Sequence, residues 1–218
     1  MSVETLPSST RAGSRRGGIG SRIVRGAGWT LIAAGVLVAL FVVYELFVTD
    51  LITARHQATL RDDLTRQFRS TDPEGQPRPI PGRGLAILRI PRIELDAVVV
   101  EGVGLEDLKK GPGHYPTTPL PGERGNVGIA GHRTTYGKPF WSLDELRVGD
   151  EIFLRTSEGE FVYEVRWVRV VSPSQSEVLD PTGRPALTLT TCEPKFSAAR
   201  RLIVRALQVR APPDVEAA

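Results

Sequence analysis

A single cysteine, Cys192, ends the run Thr188-Leu189-Thr190-Thr191-Cys192. Residues 186–191 alternate Leu and Thr as a β-strand does. Glu193-Pro194 follows. Proline donates no ladder hydrogen bond and pushes the residue before it toward extended geometry, so the strand should stop near there. A thiol is thereby set at a strand end beside an irregular loop over residues 195–199, held by a scaffold yet reachable. Taken alone, such a cysteine reads equally well as a small buried hydrophobe. His132 follows the apolar run 127–130 and sits in Gly131-His132-Arg133-Thr134-Thr135-Tyr136-Gly137, where glycine leaves room for a substrate backbone. Arg201 opens another apolar run, 201–206, and a short return loop would bring it beside Cys192. Singly, these two read as a surface-loop histidine and an edge arginine in an ion pair.

Together the three side chains fit acyl transfer. A thiol with a pKa of about 8.5 is mostly protonated at neutral pH, and nearby cations favour its thiolate. The thiolate attacks a carbonyl and forms a thioester. An imidazolium then gives a proton to the leaving amine. A guanidinium, charged at every working pH, binds the developing oxyanion or the substrate backbone. The Glu193 backbone N–H, just after the nucleophile, is a candidate second oxyanion donor.

Such a site needs strands to hold it. From residue 85 the chain breaks into short apolar runs, 85–90, 97–100, 127–130, 151–156, 160–171, 186–191 and 201–209, separated by Gly- and Pro-rich turns. Residues 151–171 read as a hairpin around Glu158-Gly159, 111–125 as a long Pro/Gly loop, 105–110 as one or two helical turns and 140–146 as a short helix. About eight strands without long intervening helices indicate a mainly β fold, an antiparallel-type barrel or sandwich.

The segments ahead of residue 85 have other tasks. Residues 1–25 are rich in Ser, Gly and Arg and are expected to be a disordered basic cytoplasmic tail. Residues 26–49 contain an apolar run from Trp29 to Val48, interrupted by Glu45. Its 20 residues cover about 30 Å as a helix, the hydrocarbon thickness of a bilayer. Ala33-Ala34-Gly35 leaves cleavage open, but the length favours a retained transmembrane helix. Arginines before it and Asp50 after it put the N-terminus in the cytoplasm and the rest outside. Residues 50–84 read as a juxtamembrane helix or stalk, with a modest stripe of Leu51, Ala54, Ala58 and 60–64, then a Pro/Gly linker. The folded domain is 85–210, and 211–218 is a C-terminal tail.

Of the 218 residues, 28 are Lys or Arg and 25 Asp or Glu, for a formal net charge of +3. Residues 1–26 carry five arginines against Glu4, which leaves −1 on the remainder. The basicity belongs to the tail, so nucleic acid is set aside as a partner. One cysteine cannot make an intrachain disulfide, so stability must come from the core.

The run Thr188–Cys192, the Gly131-His132-Arg133 segment and the strand opening Arg201-Leu202-Ile203-Val204 together resemble the sortases, membrane-anchored cysteine transpeptidases of Gram-positive bacteria. The resemblance covers about residues 84–210 and implies an eight-stranded sortase-type β-barrel. It makes Cys192 the nucleophile, His132 the general acid/base and Arg201 the substrate- and oxyanion-binding residue. Arg200 is the neighbour most easily mistaken for Arg201, and strand alternation turns the two opposite ways. The phrases 131–137 and 192–196 are similar to actinobacterial class E members. That branch implies cleavage between Thr and Gly of a C-terminal LAXTG or LPXTG sorting signal and transfer to a peptidoglycan-precursor amine. Tyr136 falls at the substrate by the same likeness, although it reads equally as a loop aromatic packed on the barrel; Thr190, Thr191 and Glu193, around the nucleophile, are further substrate-binding candidates. His114, in Gly111-Pro112-Gly113-His114-Tyr115-Pro116, falls in a structural loop. The resemblance implies no cofactor, and no acidic cluster suggests a metal site. An L,D-transpeptidase would carry His two residues before its Cys, where this chain has Thr190. A surface-anchored binding module is the non-enzymatic alternative.

Overall fold

The structure, a computed structural model, describes residues 19–44, 49–69 and 79–212. The chain forms two compact units, Met1–Val43 and Tyr44–Ala218. In the first, helix α1 spans Ile19–Val43, and its stretch Arg22–Val43 is long and apolar enough to cross a membrane. The helix starts earlier than the expected segment and takes in Arg22 and Arg25. The tail over 1–18, residues 45–48, most of the linker (70–78) and residues 213–218 lie outside the described residues.

The second unit begins with helix α2, Thr49–Arg69. Strands β1 (Gly84–Ile90) and β2 (Leu95–Glu101), the helical turn α3 (Leu105–Leu108), and strands β3 (Gly113–His114) and β4 (Asn126–Ala130) follow. Then come β5 (Glu151–Thr156), β6 (Gly159–Val171), β7 (Ala186–Glu193) and β8 (Arg200–Arg210). The eight strands close into a barrel in the order β1-β2-β3-β4-β7-β8-β6-β5. Closure leaves no unpaired edge. Strand β7 stops at Glu193, where Pro194 withdraws a donor.

Two features differ from the expected antiparallel pattern. Strand β4 runs parallel to β7, from Asn126 opposite Ala186 to Ala130 opposite Thr190, and β2 runs parallel to β3. Parallel neighbours need a crossover of a dozen or so residues. The β5–β6 excursion supplies it between β4 and β7, and the segment holding α3 supplies it between β2 and β3. The eighth strand, β3, lies inside what reads as a long loop, because two residues between prolines and glycines leave no periodic signal. The helix expected near 140–146 is a single 3-10 turn, Leu143–Glu145, behind the fully buried Phe140.

Alternate side chains of β4, β7 and β8 fill the core: Val127 and Ile129, Leu187 and Leu189, Leu202, Val204 and Ala206. The residues between them face the outside of the barrel. Helix α2 is no free stalk. Its face Thr53-Gln57-Leu64 lies on the barrel, with Thr53 5% and Leu64 2% exposed, whereas Leu51, Ala54 and Ala58 face solvent.

Candidate active site

Strand register brings Cys192 and Arg201 together. They are direct partners in the antiparallel β7–β8 ladder, so both side chains leave the same, outer face of the barrel. Strand alternation turns Arg200, paired with Glu193, the other way. The His132 strand reaches the same place from the other side of β7. The parallel ladder ends at Ala130 opposite Thr190, and the Gly131 N–H donates to the Thr190 carbonyl at 3.1 Å. One further outward step on each strand is His132 and Cys192. Sulfur, imidazole and guanidinium therefore crown three adjacent strands at one barrel end.

Small residues allow this convergence. A Cβ on Gly131 would lie 2.5 Å from Cδ2 of the buried Phe140. Gly131→Ala must displace a core aromatic directly beneath the histidine. The expected cost is about 1–3 kcal/mol with a parallel fall in activity, read by urea denaturation and turnover. Unchanged values for both would show that Phe140 yields freely.

His132 is half-buried, and its Nε2 is enclosed without a hydrogen-bond partner among the described residues. Burial pushes its pKa below the ordinary histidine value. The folded protein therefore prefers the neutral ring, while the unfolded chain binds the proton more readily. Stability from this group is complete above the unfolded pKa of about 6.5 and falls as pH drops through the lowered folded value. Wild type should lose stability relative to His132→Gln between pH 7.5 and pH 5, measured as urea midpoints. Parallel curves would remove the burial argument.

The Tyr136 ring lies 5.0 Å from the His132 ring, tilted by 46°. The Arg201 guanidinium donates through Nη1 to the carbonyls of Ala198 at 2.9 Å and Arg200 at 3.0 Å, which spreads it over the loop that follows the cysteine. Thr190 faces outward, its hydroxyl 2.9 Å from the Tyr115 hydroxyl. Thr191 points the opposite way. It is 3% exposed and its hydroxyl donates to the Gly131 carbonyl at 2.7 Å, so it couples the cysteine strand to the histidine strand instead of lining the outer face. His114 is 1% exposed, and both ring nitrogens are engaged, Nδ1 with Glu101 at 2.7 Å and Nε2 with the Pro119 carbonyl at 3.0 Å.

Two further contributors, Arg133 and Tyr115, are not among the candidates named from the sequence. Arg133 is 3% exposed and stands 2.9 Å from Asp144 and 3.3 Å from Glu193. It ties the histidine segment to the residue after the nucleophile. The same two loops also meet where Lys195 Nζ lies 4.3 Å over the Trp141 ring and Trp141 meets Phe196 edge-on at 6.0 Å. Tyr115 reaches the outer face because it directly follows β3, the strand the sequence pattern hides. The adjacency of His132 and Arg133 was the available signal for the first, and the pairing of a tyrosine with Thr190 had none.

Residues 88–209 match the family model described as Sortase domain. The chain is 35% identical to Sortase SrtE1 of Streptomyces coelicolor over 89% of its length, and the match spans 59% of that longer relative. A Sortase D5 transpeptidase of Clostridium perfringens superposes with a TM-score of 0.67 at 32% identity, covering 72% of this chain and 99% of that one. Sortase E1 of Streptomyces coelicolor, solved with a tripeptide in its active site, gives 0.58 at 34% identity over 65% of this chain and 97% of that one. With a closed eight-stranded barrel, a cysteine and an arginine paired across β7 and β8, and a histidine two residues beyond β4, the chain belongs to the sortase family of cysteine transpeptidases and resembles its class E members.

Proposed function

We propose that the chain is a membrane-anchored sortase that cleaves a C-terminal LAXTG- or LPXTG-type signal between Thr and Gly and joins the freed carbonyl to a peptidoglycan-precursor amine. The observation that carries this reading is the ladder pairing of Cys192 with Arg201 at the end of the strand beside His132. Burial keeps His132 mainly neutral at pH 7, so the proton it later donates is the one it takes from the Cys192 thiol. The thiolate adds to the Thr carbonyl, and Arg201 with the Glu193 N–H receives the oxyanion. The C–N bond to Gly breaks, the imidazolium protonates the departing amine, and a Cys192 thioester remains. The incoming amine gives its proton back to His132 as it displaces sulfur. Tyr136, Thr190 and the Tyr115 hydroxyl flank the peptide, while Thr191 holds the two strands in register.

The apolar helix α1, with arginines at its N-terminal side, supports a single span with the N-terminus cytoplasmic and the catalytic unit outside. Partners are then secreted proteins bearing the sorting signal, the amine acceptor and the surrounding lipid.

The test uses the full chain in detergent with LAXTG and LPXTG peptides and an amine nucleophile. Mass spectrometry should find an acyl adduct on Cys192, ending at the peptide threonine, and an amide product. Absence of adduct with every sorting peptide would overturn the proposal. Among the described residues no group of three or more His, Cys, Asp or Glu is placed to hold a metal ion. EDTA or 1,10-phenanthroline should therefore leave the rate unchanged; a clear loss, restored by one divalent cation, would require a metal in the reaction.

A further inference from the structure

We propose that Asp50, in the first turn of α2, is a positioning residue that holds the Tyr136 ring, and through it His132, in place. Residues 136–138 are an unusual backbone segment: Tyr136 (φ 51°), Gly137 (φ 74°) and Lys138 (φ 46°) are all left-handed. Glycine adopts that region freely, but tyrosine and lysine stay there only where their surroundings over-determine them. The run doubles the chain back so that the Tyr136 ring meets the His132 ring.

The surroundings come from α2. The Gly137 N–H donates to Asp50 Oδ1 at 2.9 Å, and Lys138 Nζ stands 2.8 Å from Asp50 Oδ2. One carboxylate thus grips two consecutive residues of the strained run. A Cβ on Gly137 would lie 3.0 Å from the Thr53 methyl, so the helix also bounds the loop sterically. The grip is anchored along one helix face, since residues three and four apart align. The Thr53 hydroxyl donates to the Lys109 carbonyl at 2.9 Å. The Gln57 amide donates to the Val98 and Lys110 carbonyls at 3.0 and 2.7 Å and accepts the Val98 N–H at 2.7 Å. Arg61 pairs with Asp96 at 2.7 Å, and Leu64 is buried below. Lys109, whose carbonyl Thr53 binds, also places its ammonium 5.9 Å from the Tyr136 ring. Helix α2 and the Tyr44–Ala218 barrel are one unit, so the helix that follows the apolar segment is a working part of the site.

The inference rests on His132 and Tyr136 serving the reaction, so one readout must be independent of turnover. The full chain in detergent micelles, as wild type, Asp50→Ala and Asp50→Asn, is titrated by NMR at His132 and assayed with an LAXTG peptide and an amine. Asn keeps an acceptor for the Gly137 N–H and loses the charge facing Lys138. In Asp50→Ala the histidine titration should rise toward its ordinary value as the loop loosens and the ring gains water, and kcat/KM should fall about 10-fold, mostly in kcat. Asp50→Asn should lie between. An unchanged His132 titration in Asp50→Ala would overturn the proposal whatever the activity. So would a loss of activity that only tracks a loss of fold by thermal denaturation. A shifted titration with no sortase activity in wild type would keep the positioning role and remove the functional reading instead.

Discussion

Replacing Cys192 by alanine should eliminate the acyl adduct and lower transpeptidation by about four orders of magnitude or more, with the fold intact. The size follows from the chemistry. The thioester is a bond to sulfur, and among the described residues Cys192 is the free thiol, at the end of β7. No neighbouring group can replace it, because Thr190 and Thr191 spend their hydroxyls on Tyr115 and Gly131. The fold should survive because the side chain is only partly buried at the barrel end, away from the cluster of Leu187, Leu189 and Val204. A stability change within about 1 kcal/mol is expected. Cys192→Ser should be nearly as inactive, since a hydroxyl stays protonated where a thiol ionises. The measurements are intact-protein mass spectrometry, product formation and a urea midpoint. Normal product from the alanine variant would leave a binding module with an incidental cysteine as the better account.

How much of this was legible in the sequence depends on how local the signal was. Cys192 and His132 sit where apolar runs stop and Arg201 where one begins, and these strand ends are visible through Pro194, Gly131 and the loop before β8. Their meeting was not visible from periodicity, because β4 and β7 are parallel neighbours separated by 55 residues of chain, from 131 to 185. Resemblance supplied that link. Alternation separates Thr190 from Thr191, and the parity of Leu187 and Leu189 turns Thr191 toward the core; what it does not show is that the Thr191 hydroxyl reaches the Gly131 carbonyl across the parallel ladder. Residues 49–69 are legible as a helix, but their seat on the barrel is only partly so. The expected stripe of Leu51, Ala54, Ala58 and 60–64 includes the buried Leu64, while Leu51, Ala54 and Ala58 face solvent; the docking face adds Thr53 and Gln57, whose side-chain bonds to barrel carbonyls leave no mark in an apolar pattern. The grip of Asp50 on a strained loop 87 residues away leaves no trace in local composition.

The two histidines of the barrel should respond in opposite ways to alanine. His132→Ala should cut turnover by about 10²–10⁴-fold and hardly affect stability. Its Nε2 has no partner among the described residues, so its removal breaks no bond of that nitrogen, and the ring is half-exposed at the barrel end. His114→Ala should do the reverse. Its ring lies between the Glu101 carboxylate and the Pro119 carbonyl, with the Thr118 hydroxyl 3.1 Å away. Neither nitrogen is free to carry a proton to a substrate. Deleting the ring strands a carboxylate that is 8% exposed, and breaking a buried pair in that way costs about 3 kcal/mol. In a domain of this size the melting temperature should fall by about 10 °C. Turnover well below that temperature should stay within about 10-fold of wild type, because the segment after β3 touches the cysteine strand through the Tyr115 and Thr190 hydroxyls, which the substitution leaves in place. The comparison needs both variants at one temperature below either transition, with calorimetry alongside peptide turnover. If His114→Ala were the inactive, well-folded variant and His132→Ala the active, unstable one, the proton-transfer role would have to move into the β3 loop, and the pairing of β4 with β7 would lose its catalytic meaning.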